Sequence, residues 1–235
     1  MRTILMVILL SVILIKCAKP DLSYNATKGL VKAFKDRDSS CTYECIYDEQ
    51  NRLLAVEGCG IKETFEYFND SVIYNNYKQG RFLYQYSYYL NDKGLADRFV
   101  RYDQGTVSRN YEFVLNQENF RLKFSEIGID TGFKTYDIAN QNIVREYNNK
   151  NTPDEFVIEM YYDQTKLNSL SYRHFGRYFM GSSSKNLKTR EVWRTRSGDF
   201  FRTYSYKLDD KGFVLQRVIV LNGRDTTENR TYAYE

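Results

Sequence analysis

Residues 86–105, YSYYLNDKGLADRFVRYDQG, return 118 residues later as YSYKLDDKGFVLQRVIVLNG at 204–223. Tyr86/Tyr204, Ser87/Ser205, Tyr88/Tyr206, Leu90/Leu208, Asp92/Asp210, Lys93/Lys211, Gly94/Gly212, Val100/Val218 and Gly105/Gly223 are identical. Each copy is an alternating run, an Asp-Lys-Gly turn and a second run. Alternation with period two puts every other side chain on one face of a strand. Glycine supplies the positive φ of the tight turn between the runs. The unit therefore commits the chain to β-hairpins.

The same period runs through most of the sequence. Phe65 and Tyr67 alternate with Thr64 and Glu66, Tyr111 and Phe113 lead to Leu115, and Phe156, Ile158, Met160 and Tyr162 oppose Glu155 and Glu159. Turn signals such as Asn69-Asp70, Gln79-Gly80, Gln104-Gly105, Asn148-Asn149 and Asn222-Gly223 fall between the runs. Their spacing is roughly ten to fourteen residues, so strands are joined by short connections. Such connections require antiparallel neighbours, and no helical period interrupts them, which excludes βαβ folds. The 22 tyrosines among 235 residues suit pleated, half-buried surfaces. The expected fold is one all-β domain over 41–235, an antiparallel meander of about twelve to fourteen strands curled into an open or closed barrel-like shell. Gln164–Arg190 lacks the alternation and reads as a long loop with a helical turn, either functional or a plug over an open core.

The N-terminus has a different character. Met1-Arg2 precedes an apolar run from Ile4 to Ile15, then Lys16-Cys17. One positive charge followed by a short apolar stretch is the shape of a secretory signal, too short to span a bilayer comfortably. Leu14 three places before Cys17 resembles the bacterial lipoprotein cleavage box, in which the cysteine is lipidated and becomes the mature N-terminus; Lys16 departs from that box. The reading is a signal peptide at 1–16, lipidation at Cys17 and a lipid-anchored tether at 17–40, with a short helix at Asn25–Lys35 as an alternative for part of it. A plain signal cut elsewhere and an uncleaved anchor are the other options for the N-terminus.

Export permits disulfides. Asp48 opposite Arg52 at a hairpin tip places Cys41 opposite Cys59 and Cys45 opposite Ala55. Cys41 and Cys45, four residues apart on one strand, are separated by ~13 Å, beyond disulfide reach. A Cys41–Cys59 bridge is expected. Three cysteines without a nearby histidine make a poor zinc set, and no metal or cofactor is expected.

With Arg2 and Lys16 removed, 34 − 2 = 32 basic residues face 30 acidic ones, a net charge of +2. The signs alternate along the chain, which argues against nucleic-acid binding.

Two resemblances follow from these residues. Tyr-x-Tyr-x-Leu-x-Asp-x-Gly at Tyr86–Gly94 and Tyr204–Gly212 resembles the YD-repeat unit, with a degenerate copy at Tyr43–Leu53. More broadly, the Cys-ending signal, the strand meander, Tyr161-Tyr162-Asp163, the Gly181-Ser-Ser-Ser184-Lys-Asn186-Leu187 element and the closing Tyr-x-Tyr hairpins resemble a family of exported Bacteroidota lipoproteins of unknown function with a porin-like fold. That likeness covers roughly 41–235. It implies the fold and an envelope location, and it names no ligand.

Chemistry-bearing candidates are few. His174 is the single histidine, so no triad or multi-histidine site can be built within one chain. Asp92 and Asp210 read as turn residues, since the Asp-x-Asp-x-Asp density of a calcium loop is missing. Gly181-Ser-Ser-Ser184 lacks the ending of a phosphate-binding loop. The rows Tyr84, Tyr86, Tyr88 and Tyr204, Tyr206 are the candidate ligand face, with packing as the competing role. Trp193 among Arg190, Arg194 and Arg196 reads as a capped sheet aromatic.

The expected function is a non-catalytic cell-envelope lipoprotein, not an enzyme, anchored at the outer membrane by its N-terminal lipid on the periplasmic or surface face. It would bind a small molecule, glycan, peptide or lipid in the tyrosine-rich concave face; the alternative is a structural subunit docking on another envelope protein. A membrane pore is disfavoured, because Lys207, Glu155 and Arg121 are expected on the exterior, where a lipid-facing band would be apolar.

Overall fold

A computed structural model describes residues 29–36, 41–127, 133–149, 152 and 155–234. The signal peptide, Cys17 and most of the expected tether lie outside the described residues. Sixteen strands run in chain order: β1 (Val31–Asp36), β2 (Thr42–Tyr47), β3 (Leu53–Gly58), β4 (Ile61–Tyr67), β5 (Ser71–Lys78), β6 (Arg81–Leu90), β7 (Ala96–Asp103) and β8 (Thr106–Leu115). The second half comprises β9 (Arg121–Glu126), β10 (Lys134–Ala139), β11 (Asn142–Asn148), β12 (Phe156–Leu167), β13 (Asn186–Thr195), β14 (Gly198–Leu208), β15 (Val214–Leu221) and β16 (Asp225–Tyr234). Every strand pairs antiparallel with its chain neighbours, and β1 pairs with β16 through Phe34↔Tyr232 and Asp36↔Arg230, closing the barrel. Closure leaves no strand edge unpaired.

The alternation decides which face looks inward. Phe65 and Tyr67 on β4, Tyr74 on β5, Tyr84, Tyr86 and Tyr88 on β6, and Phe99 on β7 meet in the lumen, where Tyr74 and Tyr86 stack at 5.7 Å and Phe99 and Tyr111 at 4.5 Å. The opposite parity carries ion pairs. Glu57 and Lys62 face each other across β3 and β4 at 2.7 Å, and Arg194 bridges Glu159 (2.9 Å) and Asp199 (2.7 Å). A membrane-spanning barrel carries an apolar outer band around a polar lumen; here exposed ion pairs stand beside exposed apolar side chains such as Phe82, Val107 and Val114.

Residues 168–185, between β12 and β13, fold into the barrel as a plug with two short 3-10 turns, Arg173–Phe175 and Tyr178–Met180. Phe179 is 5% exposed, its ring 5.1 Å from Tyr88 and 6.1 Å from Tyr67. Gly176 has φ 62° and a Cβ there would stand 2.7 Å from Asn51 O; Gly181 has φ 81° and would meet Asn119 O at 2.7 Å. The plug thus presses backbone to backbone on the tips of the β2–β3 and β8–β9 hairpins, and only glycine permits that approach.

Those tips belong to a repeated turn. Asp48 Oδ1 accepts the amides of Gln50 and Arg52, Asn91 Oδ1 those of Lys93 and Leu95, Asn116 Oδ1 those of Glu118 and Phe120, and Asp209 Oδ1 those of Lys211 and Phe213. The fourth residue is left-handed each time: Asn51, Gly94, Asn119 or Gly212. The capping side chain comes one residue before Asp92 and Asp210, so these two aspartates decorate the turn without closing it. The near-repeat of the sequence corresponds to β6–β7 and β14–β15, with both Asp-Lys-Gly turns at the plugged end of the barrel.

Several sequence expectations about strands and register need correction. Among the described residues the meander has sixteen strands, more than the twelve to fourteen expected. Val31–Asp36, assigned to the tether with a helix as an alternative, is β1, because it completes the ring against β16. The irregular segment is shorter than Gln164–Arg190, whose ends belong to β12 and β13. Finally, Cys45 pairs with Val56 and not Ala55, because a bulge between Ile46 and Tyr47 shifts the register by one residue.

Candidate functional site

The lumen is divided. From β4 to β9 it is packed with rings, including Phe113 and Phe124 at 5.6 Å. Between the plug and β9–β15 there remains a cavity of about 530 Å³. Its wall mixes tyrosines (Tyr136, Tyr162, Tyr204, Tyr206) with the hydroxyls of Ser182–Ser184 and the apolar Met160 and Ile219.

The candidate ligand tyrosines are split by this division. Tyr84, Tyr86 and Tyr88 lie in the packed half: Tyr84 and Tyr86 are 5.2 Å apart edge to face, Arg101 covers Tyr84 at 4.6 Å, and Tyr88 rests on Phe99 and Phe179. Tyr204 and Tyr206 line the cavity. The Tyr206 hydroxyl donates to Lys188 O at 2.7 Å, and burial raises its pKa, as it does that of Tyr204. Tyr162 donates to Ile143 O at 2.6 Å and lies 2.9 Å from Ser184 Oγ; burial pushes its hydroxyl up to about 12. These tyrosines act as neutral hydrogen-bonding groups.

Charge enters the wall in matched pairs. Glu146 accepts Lys134 Nζ at 2.7 Å, and Arg217 donates to Glu228 at 2.6 Å. Burial by itself would raise the Glu191 carboxyl, yet Lys188 beside it, with hydrogen bonds from Lys188, Tyr204 and Trp193, holds it below the usual carboxylate value. Arg121 also lines the cavity, contrary to the exterior position expected for it. The reason is a bulge between Val114 and Leu115, which pairs Leu115 with Arg121 and turns the arginine inward. Nothing in the local alternation signals that bulge. Lys188 and Arg217, also missed, stand on inward positions that a parity count from Tyr162 and Tyr206 reaches only once the registers Tyr162↔Lys188 and Tyr206↔Arg217 are known.

The remaining candidates have structural partners. His174 Nδ1 lies 2.8 Å from Ser171 Oγ and its ring packs edge-on to Phe213 at 6.0 Å; burial, then Arg173, lowers its pKa. Trp193 stacks between Phe156 and Phe200 and donates to Glu191 at 3.2 Å. Cys41 and Cys59 are joined, their Cα atoms 5.7 Å apart. Cys45 is a buried thiol that desolvation raises to about 11, leaving it protonated and unreactive.

With this geometry in hand, the barrel can be set beside known structures. A porin-like protein from Bacteroides uniformis ATCC 8492 superposes with a TM-score of 0.65 at 18% identity, over 86% of this chain and 96% of that one. A porin-like protein from Bacteroides vulgatus ATCC 8482 gives 0.61 at 10% identity, over 88% and 99%. The fold is porin-like. At these identities the likeness extends to fold alone. No sequence-family profile matches the chain, and no curated protein matches it.

Proposed function

We propose that this chain is a non-catalytic cell-envelope lipoprotein, tethered at the outer membrane through lipid on Cys17, whose barrel holds a glycan in the lumenal cavity. The observation that carries the reading is a polar, tyrosine-lined space of about 530 Å³ kept open beside a lumen otherwise packed with rings. Protein interiors are close-packed, and a retained cavity within the ligand-pocket range of roughly 300–1,000 Å³ is the default binding site. Serine and tyrosine hydroxyls and paired charges on the wall disfavour a lipid tail and suit the hydroxyls of a sugar. Tyr204 and Tyr206 supply aromatic surface beside those polar groups. The charged outer wall supports attachment by the N-terminal lipid over insertion of the barrel.

A structural subunit docking on another envelope protein is the second reading. It is favoured by Val114, Leu122 and Ile127, which are apolar and 48%, 38% and 45% exposed on β8, β9 and the residue after it. The experiment is native mass spectrometry of the protein purified from its own membrane, beside Ile219→Trp, which fills the cavity. A ligand-sized mass retained by the wild type and lost from the variant is expected. Bare wild-type protein in every preparation contradicts the reading. Deleting the plug is no substitute, since it would remove Phe179 from the core.

A further inference from the structure

Charge on the cavity wall narrows the class of sugar. Three cationic side chains line the space, Arg121, Lys188 and Arg217, against one carboxylate, Glu146. Lys188 is matched by Glu191 and Arg217 by Glu228, and both of these carboxylates stand away from the lining. Each pair therefore turns its positive end to the cavity. Glu146 is neutralised in turn by Lys134 at 2.7 Å and also accepts a hydrogen bond from Asn148 Nδ2 at 3.0 Å.

Arg121 is the exception. It makes no ion pair among the described residues. Its Nη2 reaches Met180 O at 3.5 Å and Met180 Sδ at 3.9 Å, and its guanidinium lies 4.1 Å from the centre of the Phe113 ring. Those contacts fix the plane of the guanidinium at the boundary between the packed half and the open half. They leave most of its five donors unused. A planar fork held this way matches a carboxylate bidentately, and the low dielectric of a half-enclosed site strengthens the pair. An unbalanced cation at such a place disfavours a neutral ligand and favours an anion.

We propose that the cavity selects a carboxylated sugar, a hexuronate unit whose carboxylate pairs with Arg121 while its hydroxyls bond the Ser182–Ser184 segment and Tyr204. This deepens the glycan-binding reading and rests on it. The positive ends of the Lys188 and Arg217 pairs extend the preference along the wall.

The test is isothermal titration calorimetry of the full chain with mono-, di- and trisaccharide hexuronates and the same sugars after carboxyl reduction. A uronate should bind, its reduced counterpart at least about tenfold more weakly, and Arg121→Gln should weaken the uronate by at least about tenfold while leaving the reduced sugar unaffected. Should Arg121→Gln fail to fold, the wild type still decides: added salt should weaken the uronate and spare the neutral sugar. Equal binding of acidic and reduced sugars overturns the charge selection and leaves glycan binding standing. Absence of binding by either set overturns both.

Discussion

Asn142 and Asn186, forty-four residues apart in sequence, exchange two hydrogen bonds: Asn142 Nδ2 donates to Asn186 Oδ1 at 3.0 Å, and the Asn186 backbone N–H donates to Asn142 Oδ1 at 2.9 Å. Both side chains are buried, at 0% and 3% exposure. Asn186 Nδ2 also donates to Gln164 O and Lys166 O, so one side chain holds the bulged end of β12, the exit from the plug and the β10–β11 turn. This is the role of Asn186 in the segment Gly181–Leu187 of this chain. Asn186→Ala leaves a buried amide and carbonyls unsatisfied and should cost ~1–3 kcal/mol in urea unfolding. The double variant with Asn142→Ala should cost less than the sum of the singles, by roughly 0.5 kcal/mol or more. Strict additivity would contradict the shared network.

Cys41 and Cys59 join the start of β2 to the β3–β4 turn across a sequence separation of 18. A loop of that order gives about 3 kcal/mol when a native bridge constrains the unfolded chain. Non-reducing peptide mapping should recover the 41–59 pair with Cys45 free, and Cys41→Ser with Cys59→Ser should lower stability by ~2–4 kcal/mol. Three free thiols in the oxidised protein would contradict it.

The single histidine sets an acid window. His174 has its folded pKa lowered from 6.5 by burial first and by Arg173 second, so the unfolded chain binds the proton more readily. Stability is therefore fully present above pH 6.5 and falls as pH drops below it towards the folded pKa. The Glu191 carboxyl, also lowered, adds a loss only further into acid, below its ordinary 4.5. Chemical unfolding across pH 5–7 should show a slope in the wild type that His174→Asn flattens. Equal slopes in the two proteins would contradict the assignment.

Much of the fold could be read from period-two alternation and Asx-x-x-Gly spacing, because these are local. Tyr86–Gly105 and Tyr204–Gly223 are the hairpins their repeat implies. What escaped the sequence is set by partners far along the chain. Val31–Asp36 resembles a tether until Tyr232, on the last strand, gives Phe34 something to pack against. The register of Cys45 and the inward turn of Arg121 depend on bulges that leave no mark in the alternation. The site was half legible for the same reason. Tyr204 and Tyr206 were identifiable as an inward row, but only the plug's side of entry decides that Tyr88 is covered by Phe179 while Tyr204 borders open space.

The proposed lipid tether requires a barrel wall that faces water, so that the lumen is a container and not a pore. Phase partition in a cloud-point detergent tests this directly on residues 18–235, which lack Cys17 and its lipid. The ion-paired exterior, from Glu57–Lys62 to Glu159–Arg194, predicts folded protein in the aqueous phase. Recovery of folded barrel in the detergent phase would contradict it.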